Sequence, residues 1–273
     1  MNLLEETKKA LRLYGIRPKR SLGQSFLVDS PLIAKIVQYA DLKRGDTVLD
    51  VGAGLGFLTE ALANKAGRVL AVEIDPRLVR ALEDRLSVYE NVEVIEGDFM
   101  RLERMKFNKV VSNPPYSISS PFIFRLLEYE FDQGIITLQE DFADRLMAKS
   151  GTKEYGRLTV MANLKLKVDL LEGVPRGYFY PVPKVRSAVM CIKPIHGPSQ
   201  VMDEKLLSVL VAALFSQRRR ILRKAIKAFI KRTGVNAAKK EVLEDYADMR
   251  VFQLSPEDFV DISNRLYSSL RKR

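Results

Sequence analysis

The sequence predicts an α/β protein in which a mostly parallel sheet with helices on both faces is followed by a small all-α domain. Between Thr47 and Lys149, short β-rich runs alternate with helical segments. Strands and helices that alternate in this way form parallel sheets with right-handed crossovers. After Gly151 two strand-like runs follow, and beyond Pro198 the whole pattern is helical. These three observations give the fold class and the order of the two domains.

The first forty residues are expected to form a lead-in to the main domain. A helical pattern runs from Leu3 to Leu13, and the basic segment RPKR leads into SLGQSFL. Pro31 then opens a second amphipathic helix, because proline is well tolerated in the first turn of a helix.

The main sheet is expected to contain five β-rich runs, each followed by a helix or a turn. They are TVLDV before a helix from Phe57 to Ala66, RVLAVEI before Pro76 to Val88, NVEVIEG before a turn, KVVS before Pro121 to Glu130, and GIITLQ before Glu140 to Lys149. In such sheets ligands bind at the carboxyl ends of the strands.

The end of the sheet is predicted to be antiparallel. A strand-like stretch from Leu158 to Leu171 and a second run, SAVMCIK, have no helical pattern between them, which favours a hairpin that closes the sheet edge. The prolines and glycine of IKPIHGPSQ indicate a linker. We therefore predict one domain over residues 1–194, with 1–40 as its lead-in, and a helical basic domain over 199–273.

Charge is concentrated in the second domain. The chain has a net charge of +11, and residues 201–240 contain eleven basic residues against Asp203 and Glu204. A basic block of this kind suits a polyphosphate partner or an anionic membrane surface, and a solvated helix face is the simpler alternative. Neither a long apolar run nor a signal-peptide pattern is present, so we expect a cytoplasmic protein without a membrane partner.

Two residue counts restrict the chemistry. Cys191 is the only cysteine and His196 the only histidine. An internal disulfide, a zinc site with several imidazole ligands and Ser-His-Asp or Cys-His catalysis are therefore excluded, and no metal is predicted. Cys191 is expected to be a core thiol.

A glycine-rich turn follows the first strand of the sheet. TVLDV runs directly into Gly52-Ala53-Gly54-Leu55-Gly56, and Glu73 ends the next strand, where a carboxylate can accept both ribose hydroxyls of a nucleoside. A dinucleotide fingerprint requires glycine at the position of Phe57. GxGxG after the acidic Asp50 instead suits the methionine end of S-adenosylmethionine, and Asp98 is placed to meet an adenine amino group.

The tetrapeptide NPPY follows the fourth strand. The side-chain carbonyl of Asn113 and the main-chain carbonyl of Pro114 can each accept one hydrogen of a ring-conjugated amine, which aims its lone pair at a methyl donor. Tyr116 offers an aromatic face to a flipped base. Phe179, in the stiff loop GYFYPVPKV, is a candidate for a second aromatic wall and equally for an ordinary core residue.

These segments together resemble the rRNA adenine N(6)-dimethyltransferase family of the KsgA type, most closely its archaeal members. The resemblance covers nearly the whole chain through SLGQSFLVD, DVGAGLGFLTEAL, VEID, EGDF, NPPYSISSP, FYPVPKVRSAV and LFSQRRRILR. It implies a Rossmann-like class I methyltransferase fold. Two positions depart from the family pattern, which has leucine at Pro114 and commonly asparagine at Ser25.

The resemblance also implies residue roles and a substrate. The binding site for the cofactor S-adenosylmethionine would be formed by Gln24, Leu27, Gly52, Glu73, Asp98 and Asn113. The target base would be bound by Asn113, Pro114, Tyr116 and Phe179. The substrate would be two adjacent adenosines in a loop near the 3′ end of small-subunit rRNA, each methylated twice by a monomer within an assembling 30S-type subunit. The phosphates would be held by Arg218, Arg219, Arg220, Arg223 and Lys224.

Three other functions remain open from the residues alone. NPPY is the form that DNA amino-methylases and protein glutamine methylases favour, although the flanking segments match the rRNA enzymes. For a DNA enzyme, only about seventy residues follow the linker, fewer than a sequence-reading domain usually has. The fold could also serve a non-catalytic RNA-binding factor in assembly or transcription, for which the intact Asn113 and Tyr116 would have no use.

Overall fold

The computed structural model describes residues 2–19, 23–195, 200–233 and 245–271. His196, the beginning of the SLGQSFL motif and part of the basic C-terminal segment lie outside these ranges. The chain divides into two compact units, one formed by Met1–Ala143 with Lys167–Pro194 and the other by Asp144–Leu166 with Ile195–Arg273.

The first unit contains nine strands and the helices that cover them, within the described residues. Two helices and a short strand form the lead-in: α1 (Leu3–Leu13), β1 (Phe26–Leu27) and α2 (Ser30–Ala40). The alternating part comprises β2 (Thr47–Val51), α3 (Phe57–Ala63), β3 (Arg68–Glu73), α4 (Pro76–Leu86), β4 (Val92–Glu96), β5 (Lys109–Ser112), α5 (Ser119–Leu126), β6 (Gln133–Gln139) and α6 (Glu140–Met147), which continues into the second unit. The last strands are β7 (Leu166–Val174), β8 (Phe179–Tyr180) and β9 (Ser187–Pro194).

Seven of these strands form one sheet in the order β4-β3-β2-β5-β6-β9-β7. The pairs from β4 to β6 are parallel, and β9 runs antiparallel to β6, from Gly134↔Ile192 to Gln139↔Ser187. The predicted parallel sheet with an antiparallel closing strand is thus confirmed. The order reverses direction between β2 and β5, and in open α/β sheets a ligand crevice forms at that point.

Helix starts in this unit follow from local sequence. Asp29 and Asp75 cap α2 and α4: each side chain accepts a hydrogen bond from a backbone N–H of the first turn, and a proline occupies the first turn of each helix. The central strands are nearly continuous apolar runs because the sheet is covered on both faces. Cys191 is buried on β9, as predicted.

The second unit is helical apart from one isolated bridge, within the described residues. Its helices are α7 (Arg157–Asn163), α8 (Glu204–Phe215), α9 (Leu222–Thr233) and α10 (Pro256–Arg271), together with the end of α6. Asp203 caps α8 by accepting a hydrogen bond from the backbone N–H of Leu206. The small all-α domain that the sequence predicts is therefore present.

One predicted strand was wrong in its first half. The stretch predicted as strand from Leu158 to Leu171 begins as α7 and becomes β7 only at Leu166. The run Thr159–Ala162 is buried on all sides, so it shows neither helical nor alternating periodicity, and a short apolar run of this kind fits either element. Residues 144–166 also pack with the helical unit. The domain boundary predicted from the sequence, one domain over residues 1–194, assigned them to the first domain.

Candidate active site

A cleft opens between the ends of β2 and β5, where the strand order of the sheet reverses direction. This position is called the switch point of the sheet. It encloses about 1050 Å³ of empty space, its open mouth included. All six residues for which the sequence predicts cofactor contacts lie in its walls: Gln24, Leu27, Gly52, Glu73, Asp98 and Asn113. Residues from five separate segments are thus brought to one site.

The glycine turn after β2 lies against the NPPY segment. Gly52 has a φ of +76°, and a Cβ built on it would lie 2.6 Å from Cδ of Pro115. Any side chain at this position would therefore strain the backbone and collide with the segment that follows β5. The turn and the NPPY segment consequently form adjoining walls of the cleft.

Glu73 holds the turn from the end of β3. Its carboxylate accepts hydrogen bonds from the backbone N–H groups of Gly54 at 2.9 Å, Ile74 at 2.9 Å and Asp75 at 3.0 Å. The residue is only 5% exposed, and burial raises the pKa of Glu73 against the lowering effect of these three donors. A carboxylate oxygen can accept more than one hydrogen bond, so acceptor capacity remains for a ligand hydroxyl.

Asp50 is a second buried carboxylate in the wall of the same cleft. It is 1% exposed, and the hydroxyl of Thr59 donates to its Oδ2 at 2.8 Å. Burial raises the pKa of Asp50 to about 7, and the nearby charge of Glu73 adds to the effect. Within the described part of the chain no cation pairs with Asp50 or Glu73, and a positively charged ligand beside them would favour their ionised forms.

Gln24 and Asp98 are both engaged with the protein. Gln24 accepts a hydrogen bond from the backbone N–H of Lys19 at 2.8 Å and donates to Oδ2 of Asp75 at 3.3 Å, which ties the lead-in to the end of β3. The hydrogen bond from Arg77 lowers the pKa of Asp75 to about 2. Asp98 accepts from the backbone N–H of Met100 at 3.0 Å.

Sequence reasoning missed Ile74, although it follows Glu73 directly in the VEID motif. Its side chain is 50% exposed in the wall of the cleft, where a flat apolar ligand surface could cover it. A large apolar residue immediately after the strand-ending carboxylate was the available signal.

Asn113 places an unpaired polar atom in the cleft. Its Oδ1 is buried and has no hydrogen-bond partner among the described residues. Buried polar atoms are nearly always paired, and an orphan at the carboxyl end of a strand is therefore a candidate contact for a ligand donor. The neighbouring Ser112 accepts a hydrogen bond from the backbone N–H of Val51 at 2.9 Å, so it joins β5 to β2 where their backbone pairing has ended.

The predicted base-handling residues gather next to Asn113. Pro114 is buried, and Tyr116 is partly buried in the short 3-10 helix Tyr116–Ile118. The ring of Phe179 meets that of Tyr116 edge to face, with centroids 6.4 Å apart and an interplanar angle of 70°. Phe179 is only 1% exposed and belongs to the main hydrophobic cluster. It therefore supports the Tyr116 ring, and its use as a stacking wall remains a prediction.

A two-stranded ribbon connects these residues to the lead-in. β1 pairs antiparallel with β8 through Phe26↔Tyr180 and Leu27↔Phe179. The hydroxyl of Ser25 donates to the carbonyl oxygen of Pro181 at 2.7 Å. Leu27, on the cleft side, and Phe179, beside Tyr116, are thus held in register.

The predicted RNA-binding residues lie in the second unit, and their environments differ. Arg218 donates to the carbonyl oxygens of Lys153 at 2.8 Å and Thr152 at 3.0 Å, Arg220 bonds to Gln217, and Arg223 pairs with Asp248 at 2.6 Å. Arg219 and Lys224 are exposed, and their side chains have no partner among the residues the structure describes. Among the five predicted residues, these two are therefore the ones whose charge is least engaged with the protein.

The strand order, the cleft at the switch point and the carboxylate at the end of β3 are those of a class I methyltransferase. The crystal structure of a dimethyladenosine transferase from Plasmodium falciparum superposes on the chain with a TM-score of 0.77 and 29% identity, covering 89% of this chain and 96% of that one. The crystal structure of the 23S rRNA methyltransferase ErmE gives a TM-score of 0.65 with 30% identity, covering 89% and 99%.

The chain belongs to the ribosomal RNA adenine dimethylase family, whose model matches residues 15–268. It is 41% identical over 270 residues to a probable ribosomal RNA small subunit methyltransferase A of Methanothermobacter thermautotrophicus, covering 97% of this chain and 96% of that protein. The corresponding protein of Thermococcus sibiricus is 42% identical over 259 residues, covering 93% of each. In the described ranges, no helix is long and apolar enough to cross a membrane.

Proposed function

We propose that this protein uses S-adenosylmethionine to dimethylate the N6 amino groups of two adjacent adenosines in a loop near the 3′ end of small-subunit rRNA. It acts as a cytoplasmic monomer on an assembling 30S-type subunit. The observation that carries the chemistry is the Oδ1 of Asn113, which is buried in the cleft wall at the end of β5 and has no hydrogen-bond partner within the described ranges. The family and the names of the relatives support the choice of RNA.

The chemical groups that line the cleft fit S-adenosylmethionine. A cationic amino acid joined to a nucleoside suits a glycine turn, an exposed apolar side chain and two buried carboxylates that pair with no cation in the described ranges. Glu73 would accept the ribose hydroxyls and Asp98 the adenine amine, while Gln24, Leu27, Gly52 and Asn113 complete the walls. S-adenosylmethionine supplies an electrophilic methyl group on a sulfonium.

The chain's own residues would then prepare the acceptor amine. The lone pair of a ring-conjugated amine is delocalised, so the amine is a poor nucleophile until its geometry changes. In the first transfer, Asn113 Oδ1 and the main-chain carbonyl of Pro114 would each accept one amine hydrogen and direct the lone pair towards the methyl group. In the second transfer the singly methylated amine has one hydrogen left, which one of the two carbonyls would accept. In each transfer the N–C bond forms as the S–C bond breaks, the sulfur leaves as a neutral thioether, and the methylated amine loses one proton to solvent. Tyr116 would stack on the flipped base, with Phe179 behind it. This mechanism relies on orientation and hydrogen bonding and needs no histidine.

The direct test is methyl transfer to RNA. Purified protein incubated with labelled S-adenosylmethionine and small subunits that lack the modification should yield N6,N6-dimethyladenosine, detected by mass spectrometry of the digested rRNA. Mapping should place it at two adjacent adenosines. If a folded protein that binds S-adenosylmethionine transfers no label to these subunits, the proposal is wrong.

A second candidate, DNA amino-methylation, is favoured by one observation. Pro114 gives the tetrapeptide the NPPY form. Duplex DNA should therefore be included as a competing substrate in the same assay, and preferential labelling of DNA would reverse the ranking.

The proposed RNA contacts of the second unit make a separate prediction. Arg219→Ala and Lys224→Ala should each weaken RNA binding and lower the slope of log affinity against log salt by about one, because each removes a phosphate contact. Arg218→Ala should instead lower the melting temperature, since Arg218 braces residues 152–153. Fluorescence titration at several salt concentrations, with the exposed Lys205→Ala as control, measures the slope. An unchanged slope for both variants would place the RNA contact elsewhere.

A further inference from the structure

Among the residues that the structure describes, the hydroxyl of Tyr116 has one hydrogen-bond partner, Ser187. The two hydroxyl oxygens lie 2.5 Å apart, and Ser187 is 0% exposed. Burial raises the pKa of Tyr116, so the phenol keeps its proton and remains able to donate. The polar end of the Tyr116 side chain is therefore anchored inside the protein, and the ring is the part that is left for a ligand.

The two residues differ in how firmly their backbones are held. Ser187 is the first residue of β9 and pairs with Gln139 at the carboxyl end of β6, so its position follows from a six-residue ladder. Tyr116 lies in a three-residue 3-10 helix, a short element with poor hydrogen-bond geometry. The strand β9 thus holds the short 3-10 helix through the hydrogen bond between the Ser187 hydroxyl and the hydroxyl of the Tyr116 ring.

Two contacts together determine the plane of the Tyr116 ring. Phe179 touches its side edge to face, and Ser187 fixes the hydroxyl at its tip. With the edge contact alone, the ring could still swing about its Cα–Cβ bond. The hydrogen bond removes that freedom because the hydroxyl is the atom farthest from the backbone.

We infer that Ser187 is a positioning residue for the target base, acting through the hydroxyl of Tyr116. The inference rests on the proposed function, in which an adenine stacks on that ring. A stacked base takes its tilt from the ring beneath it, and a displacement of about 1 Å at a reacting centre costs up to about 100-fold in rate. Ser187 itself does not touch the base.

Paired substitutions test this assignment. Ser187→Ala and Tyr116→Phe remove opposite halves of the same hydrogen bond while leaving the aromatic ring in place. Each should lower the single-turnover rate of methyl transfer by about tenfold, with the dissociation constant for S-adenosylmethionine unchanged in calorimetry. The double variant should be no slower than either single variant, because both lose the same contact. Ser187→Thr, which keeps the hydroxyl, should recover most of the rate.

A spectroscopic measurement separates positioning from general loss of structure. RNA that carries 2-aminopurine at the target position should show a different fluorescence yield when bound to Ser187→Ala than when bound to the wild type, at a temperature where both are fully folded. The inference is overturned if Ser187→Ala keeps the wild-type rate, or if the two single effects multiply in the double variant. Absence of adenine methylation by the wild-type protein would instead refute the proposed function.

Discussion

Replacing Asn113 with alanine is expected to reduce methyl transfer by about 100- to 1000-fold, the loss seen when one preorganised hydrogen-bonding group is removed from a reacting centre. The same change should not destabilise the protein. Its Oδ1 is buried and finds no partner in the part of the chain that the structure describes, so the folded state already bears the cost of desolvating it. An unsatisfied buried acceptor costs a fold about 1–3 kcal/mol, and removing it relieves that cost.

Single-turnover kinetics and thermal unfolding measure these two effects side by side. The rate should fall while the melting temperature stays level or rises, and S-adenosylmethionine should still bind. Asn64→Ala, at an exposed asparagine after α3, is the control and should keep the full rate. An active Asn113→Ala protein would remove the basis of the proposed mechanism. A protein that fails to fold would show that Oδ1 is structurally paired after all.

The sequence was sufficient for those parts of the site in which a motif directly follows a strand. The glycine turn follows β2 and Asn113 follows β5, and the carboxyl ends of these neighbouring parallel strands lie at the same edge of the sheet, where a ligand crevice forms. Recognising the strands was therefore enough to bring together Gly52, Glu73 and Asn113. The largely apolar runs of β2, β3 and β6 made the sheet itself predictable, because a parallel strand covered on both faces is a nearly continuous apolar run.

Contacts between distant residues could not be predicted in the same way. Tyr116 and Ser187 are 71 positions apart, and Ser25 and Pro181 are 156 apart. The first contact depends on the register of β9 against β6 and the second on the β1–β8 ribbon, and neither register leaves a local signal. The basic motif LFSQRRRILR is a similar case. Arg218 donates hydrogen bonds to the carbonyl oxygens of residues 152–153, a structural role that its charge alone does not indicate.

Asp50→Asn is expected to stabilise the free protein at alkaline pH and to make its stability less dependent on pH. Burial raises the pKa of Asp50 from 3.8 to about 7, so between these values the folded protein holds a proton that the unfolded chain has released. Stability therefore falls as the pH rises through this window, at about 1.4 kcal/mol per pH unit at most. Asparagine carries no such proton, and its side-chain oxygen can still accept the hydrogen bond from Thr59.

The gain in stability should be about 3–4 kcal/mol at pH 8 and should vanish near pH 4. Urea unfolding at pH 4, 6 and 8 measures it, with Asp41→Asn, at an exposed carboxylate after α2, as the control. A variant that is less stable than the wild type at pH 8 would mean that the ionised carboxylate has a stabilising partner in the fold.

The same substitution should weaken binding of the methyl donor. Asp50 and Glu73 face the cleft without a cation among the described residues, so a positively charged ligand stabilises the ionised form of Asp50. The wild-type affinity for S-adenosylmethionine should therefore rise from pH 6 to pH 8, and calorimetry in buffers of different ionisation enthalpy should detect proton release on binding. Asp50→Asn should bind about tenfold more weakly at pH 8, with little dependence on pH and little proton release. If the variant released as many protons as the wild type, the titrating group would be another one, and Asp50 would not be the carboxylate that recognises the positive charge of the ligand.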